Sequence, residues 1–194
     1  MFEALALNAA VVLVLVLVQW RISVKIDDVS FIDAFWGAGM ALVAFMSWLH
    51  VPGGPGDLGT LIMGMTVAWG LRLGVYLFRR WRREGEDWRY RHMLKGAREQ
   101  GRFAQVTLTR VWLMQAGLLL LVSSPAQVGI LASPAPAPIT PLAWSGFALW
   151  CFGVFFEWVG DWQLAKFRAD PKNKGYVLDT GLWRYTRHPN YFGD

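Results

Sequence analysis

Residues 4–20, ALALNAAVVLVLVLVQW, carry no charge and are built almost wholly from Ala, Val and Leu. Seventeen such residues are near the lower length limit for crossing a hydrocarbon core, so the run predicts a transmembrane helix. Glu3 stands where a secretory signal would carry lysine or arginine, and no clear small-residue cleavage site follows. The run is therefore expected to be a retained span.

Working outward, the composition agrees with a bilayer as solvent. The 194 residues are 55% hydrophobic and 17% charged, with a mean hydropathy of +0.31, outside the range of an ordinary soluble domain. Residues 30–50 form a second apolar segment that carries Asp33, and Pro52-Gly53-Gly54-Pro55-Gly56 must break any helix. Residues 58–78 form a third, interrupted by Arg72; about 104–122 form a fourth, containing Arg110 and Gln115. The proline-rich, uncharged stretch 125–141 is expected to be an exposed irregular loop. Thr140-Pro141 then supplies a cap and first position for a fifth span reaching about Phe167. The expected fold is all-α: one polytopic transmembrane bundle over residues 1–194, with about five full spans and the start of a sixth at Pro189.

The basic residues test this topology. Of 19 Lys and Arg, two lie in 21–29, nine in 79–102 and six in 166–188. With five spans and the N-terminus outside, all three segments fall on one face, which the positive-inside rule makes cytoplasmic. A bacterial inner membrane is the expected location. The isoelectric point near 9.7 follows from this distribution, and nucleic-acid binding, the usual alternative for a basic chain, is not needed. The segment 79–102, with Trp81, Trp88 and Tyr90 among its charges, reads as surface-lying and partly helical, attracted to anionic head groups.

Charges inside spans need reasons. Glu157 and Asp161 stand four apart, on one helix face near the end of the fifth span. They either meet water in the interfacial zone or line a pocket. Arg72, with Trp69 and Tyr76 on its face, either snorkels to the head groups or points inward toward a phosphate or carboxylate. Arg110 is placed to snorkel, and Asp33 is interfacial by position. Cys151 is alone in an apolar run and reads as a small buried hydrophobe. No phosphate-binding glycine loop, nucleophile elbow or paired metal ligands occur, so no metal is expected.

The closing stretch Gly181-Leu182-Trp183-Arg184-Tyr185-Thr186-Arg187-His188-Pro189-Asn190-Tyr191-Phe192-Gly193-Asp194 is dense in cations and aromatics. It enters a helix through Pro189, where a proline is favoured. It resembles the signature of the DUF1295 group of bacterial membrane proteins. These are relatives of steroid 5-alpha-reductases and, more distantly, of sterol reductases and isoprenylcysteine methyltransferases. Asp33 to Gly37, Trp69 to Leu73, the box Gly85-Glu86-Asp87-Trp88-Arg89-Tyr90, and Glu157 with Asp161-Trp162-Gln163 fall in the same order.

The resemblance implies an NADPH-dependent reductase of a conjugated carbon–carbon double bond in a steroid-like or lipid enone. Carried over, Asn190, Asp194, Asp161, Glu157, Arg72 and Arg168 fall at cofactor-binding positions, and Arg187, His188 and Tyr191 belong to the same motif. Trp69 stands where the steroid enzymes have a carbonyl-polarising tyrosine, leaving Asp33 and Tyr76 as candidate acids. S-adenosylmethionine is the alternative cofactor, because Arg-His-Pro-x-Tyr also occurs in the methyltransferase branch. Family members continue past the position of Asp194, so the chain is expected to be a C-terminally truncated form with an incomplete pocket, and a non-catalytic fragment is a third reading.

Overall fold

The computed structural model describes residues 1–193 and is all-helical. Five helices are long and apolar enough to cross a membrane: α1 (Phe2–Ile26), α2 (Ile32–Leu49), α3 (Asp57–Glu84), α5 (Phe103–Leu131) and α6 (Pro141–Ala169). Between α3 and α5 lies the polar helix α4 (Trp88–Glu99), and α7 (Pro189–Gly193) follows α6. The chain divides into two compact units, Met1–Pro138 and Ile139–Asp194.

In the first unit, α2 and α3 pack along a glycine seam. A Cβ on Gly37 would run into the Gly70 carbonyl oxygen and come within 2.8 Å of the Gly74 backbone nitrogen. The two backbones are thus in direct contact, an approach that only small residues permit between membrane helices. Val12 and Val16 of α1, Val43 of α2 and Trp112 and Leu119 of α5 are fully buried beside it. Polar groups tie the same helices together. Asn8, 1% exposed, donates to Ser47 Oγ at 2.8 Å and Gln127 Oε1 at 2.8 Å, and the Trp112 indole donates to Ser23 Oγ at 3.0 Å.

Two elements outrun their apolar stretches. α3 stays helical to Glu84, because arginines are good helix formers and the end of hydropathy does not end a hydrogen-bond ladder. α5 passes through Pro125 to Leu131, correcting the loop expected from residue 125. Proline withholds one N–H from the carbonyl four residues earlier, that of Leu121. The Ser124 hydroxyl donates to that carbonyl at 2.7 Å, so the ladder is repaired locally, as backbone in an apolar surround requires. One π turn, Leu108–Trp112, interrupts the same helix.

The loop that remains is not free. Gly56 N–H donates to Ser133 O at 2.9 Å, Leu58 N–H to Ala137 O at 2.9 Å, and Ala135 N–H to Gly54 O at 3.0 Å. Residues 133–137 thereby occupy the orphan donors at the start of α3. In the second unit α6 begins as expected: Thr140 Oγ1 accepts from Ala143 N–H at 3.2 Å, with Pro141 at the first position. After α6 come 3-10 turns at Pro171–Asn173 and Gly181–Arg184, and Pro189 opens α7 as expected.

Candidate functional site

The second unit builds a polar cradle from one face of α6 and the segment that returns to it. Gly153, Glu157, Gly160 and Asp161 share that face at helical spacing. The two glycines make room: a Cβ on Gly153 would come within 2.5 Å of the Gly193 carbonyl oxygen, and one on Gly160 within 3.1 Å of the Asn190 nitrogen. α7 therefore lies directly on the backbone of α6. The approach is fixed by the Trp183 indole donating to Gly160 O at 3.0 Å and by Leu182 N–H donating to Gln163 Oε1 at 3.0 Å.

This docking brings Asn190 to Asp161. The Asn190 side-chain N–H donates to Asp161 Oδ1 at 3.1 Å, with Asp161 5% and Glu157 3% exposed. Of the two readings left open by the sequence, contact with water is thereby removed for both carboxylates. Asn190 Oδ1 is buried and has no hydrogen-bond partner among the described residues. A buried amide oxygen without a donor is costly, and the chemistry that would satisfy it is an N–H or O–H donor.

Around the cradle, the His188 ring stacks on Tyr191 with centroids 5.2 Å apart, and Trp183 meets His188 edge-on. Arg187 is exposed. Arg168, two turns beyond Asp161, lines a separate cleft of about 440 Å³ with Lys174, Asn173 and Tyr176. Asp194 lies outside the described residues.

The remaining candidates lie in the first unit. Arg72 stacks over the Tyr76 ring at 5.1 Å, one turn along α3. Asp33, at the start of α2, accepts from the Tyr90 hydroxyl at 2.8 Å and from the Arg89 guanidinium at 3.0 Å. Arg89 also grips Asp87 at 2.8 Å, and Asp87 N–H donates to Ser30 Oγ at 2.9 Å. The Arg89 hydrogen bonds hold the Asp87 carboxyl below its ordinary range. Burial, and next the Asp33 carboxylate, push the Tyr90 phenol up, so it stays protonated and donating. Asp33 is thus engaged on both oxygens.

Sequence reasoning singled out Asp33 but not its partner Tyr90, and Asp161 but not Gly153 and Gly193. The signals were present: Tyr90 closes the Gly85–Tyr90 box, and Gly153 precedes Gly160 by two turns, one face apart from bulky neighbours.

The family model described as "Protein of unknown function (DUF1295)" matches residues 19–194. No curated protein and no solved structure matches the chain.

Proposed function

Taking as premise that this chain belongs to the DUF1295 family, we propose that it is a membrane-embedded, NADPH-dependent reductase of a conjugated carbon–carbon double bond in a steroid-like or lipid enone. The observation that carries the reading is the Asn190–Asp161 pair with its unsatisfied Asn190 Oδ1. An amide that donates to a buried carboxylate and keeps a buried acceptor open fits a carboxamide, whose N–H₂ group needs acceptors. Asp161 and Glu157 add acceptors for amide or ribose hydroxyl hydrogens, and Arg168 and Arg187 have the chemistry to answer phosphates. When bound, the dihydronicotinamide supplies hydride. The chain's own part is to bind and orient: Asn190 is held by Asp161, and Gly153 and Gly160 let it reach that carboxylate. The positive-inside rule favours a cytoplasmic side for the basic segments 21–29, 79–102 and 166–188, where the cofactor is available.

Equilibrium binding of NADPH to the detergent-purified chain, with S-adenosylmethionine as control, tests the reading. Selective NADPH binding that falls about tenfold in Asn190→Ala, the cost of one buried hydrogen bond, is expected. Binding of S-adenosylmethionine alone, or equal NADPH affinity in the variant, would remove it.

A further inference from the structure

The nine basic residues of 79–102 do not form one surface. Five are held by carboxylates: Arg80 by Glu84 at 3.1 Å, Arg89 by Asp87 at 2.8 Å, Arg91 by Glu86 at 3.2 Å, Lys95 by Glu99 at 3.9 Å and Arg98 by Glu86 at 2.6 Å. Those pairs use every Asp and Glu of the segment. Arg102, at the start of α5 and not on α3, donates to the Gln100 side chain. Arg79, Arg82 and Arg83 remain, exposed and without a carboxylate among the described residues.

These three stand at i, i+3 and i+4, so they share one stretch of the surface of α3. The apolar residues 58–78 before them rise about 1.5 Å each, which fills a hydrocarbon core of about 30 Å. Arg79 is therefore the first residue of α3 at head-group depth. Phe78 is 49% exposed just inside that level.

We propose that Arg79, Arg82 and Arg83 form a binding site for the phosphodiester of an anionic phospholipid. Three guanidinium groups on adjacent positions concentrate positive charge that an anion among them offsets, and a phosphodiester matches the guanidinium fork. The bilayer supplies that anion at the depth where the arginines emerge. The sequence assigned head-group attraction to the whole of 79–102; internal ion pairing leaves it to these three and Arg102, and of those four only these three share one surface of α3.

The test is native mass spectrometry of the full chain in detergent, titrated with phosphatidylglycerol and with phosphatidylcholine. The wild-type chain should prefer phosphatidylglycerol. Each arginine near an anionic surface is worth about fivefold, so Arg79→Gln/Arg82→Gln/Arg83→Gln should lower that preference on the order of a hundredfold. Arg91→Gln/Lys95→Gln, which removes charges paired with Glu86 and Glu99, should keep most of it. An unchanged preference in the triple variant, or an equal loss in the control, overturns the proposal. Displacement of the lipid by excess glycerol phosphate also overturns it, since the site would then be one for free phosphate. If the triple variant does not fold, Arg79→Gln and Arg83→Gln are read singly for the fivefold loss, and wild-type preference in both refutes the site.

Discussion

Replacing Gly37 by alanine should destabilise the first unit, whereas the same change at Gly64 should not. Both glycines are inside helices, so alanine brings each an intrinsic gain of up to about 1 kcal/mol. At Gly64 the new Cβ meets nothing within 4 Å, and the gain stands. At Gly37 it meets backbone, the Gly70 carbonyl and the Gly74 nitrogen at 2.8 Å, neither of which can swing aside. α2 and α3 must separate along the seam, at an overpacking cost of about 1–3 kcal/mol or more. The net expectation is a loss of up to about 2 kcal/mol for Gly37→Ala against a gain of up to about 1 kcal/mol for Gly64→Ala. Thermal unfolding in one detergent, followed by tryptophan fluorescence, compares the two. If Gly37→Ala is as stable as wild type while Gly64→Ala is stabilised, the backbone contact at the seam is refuted.

In the second unit Gly153→Ala should weaken NADPH binding about tenfold or more by lifting α7 from α6, while Gly146→Ala, which faces open space, leaves affinity unchanged; equal affinities would detach α7 from the site. Asn8→Ala removes buried hydrogen bonds to Val43 O, Ser47 Oγ and Gln127 Oε1, and at about 0.6 kcal/mol each inside a bundle the unit should lose about 1–2 kcal/mol in the same unfolding assay. Because the folded-state Asp87 carboxyl is depressed by Arg89, its contribution is complete above the ordinary carboxylate value of about 3.9 and is lost as pH falls through the lower folded value. Arg89→Gln should therefore flatten the acid limb of stability against pH between about 5 and 2, and an unaltered limb would mean the pair contributes nothing.

Hydropathy and charge located the five spans because both report contact with the bilayer. They failed where other physics sets the boundary. Arg79 to Glu84 continue α3 since nothing in those side chains opposes a helix. Pro125 reads as a breaker until Ser124 is seen to serve the Leu121 carbonyl, a repair that depends on one hydroxyl rotamer. In the site, the acidic pair of α6 was legible from its spacing, because an isolated carboxylate in a span needs a cause. Its link to Asn190 was carried by the resemblance of the closing motif. That the link is made through Gly153 and Gly160 belongs to the tertiary structure alone: close approach of two backbones leaves no hydropathy signal. Tyr90 escaped for a related reason, since its partner Asp33 lies 57 residues away and aromatic residues in a basic segment suggest the membrane first.

The bonded loop at 133–137 has a consequence in time. Its last hydrogen bond, from Leu58 to Ala137, closes one residue before the first unit ends at Pro138. During synthesis, everything that unit needs has been made once Pro138 is joined. The ribosome then spends about 3–11 s on residues 139–194, at roughly 5–20 residues per second. Helix pairing and loop closure are far faster than that. The first unit therefore has all its residues joined before Asn190 exists, and the cradle of the second unit is the last part of the chain to be made.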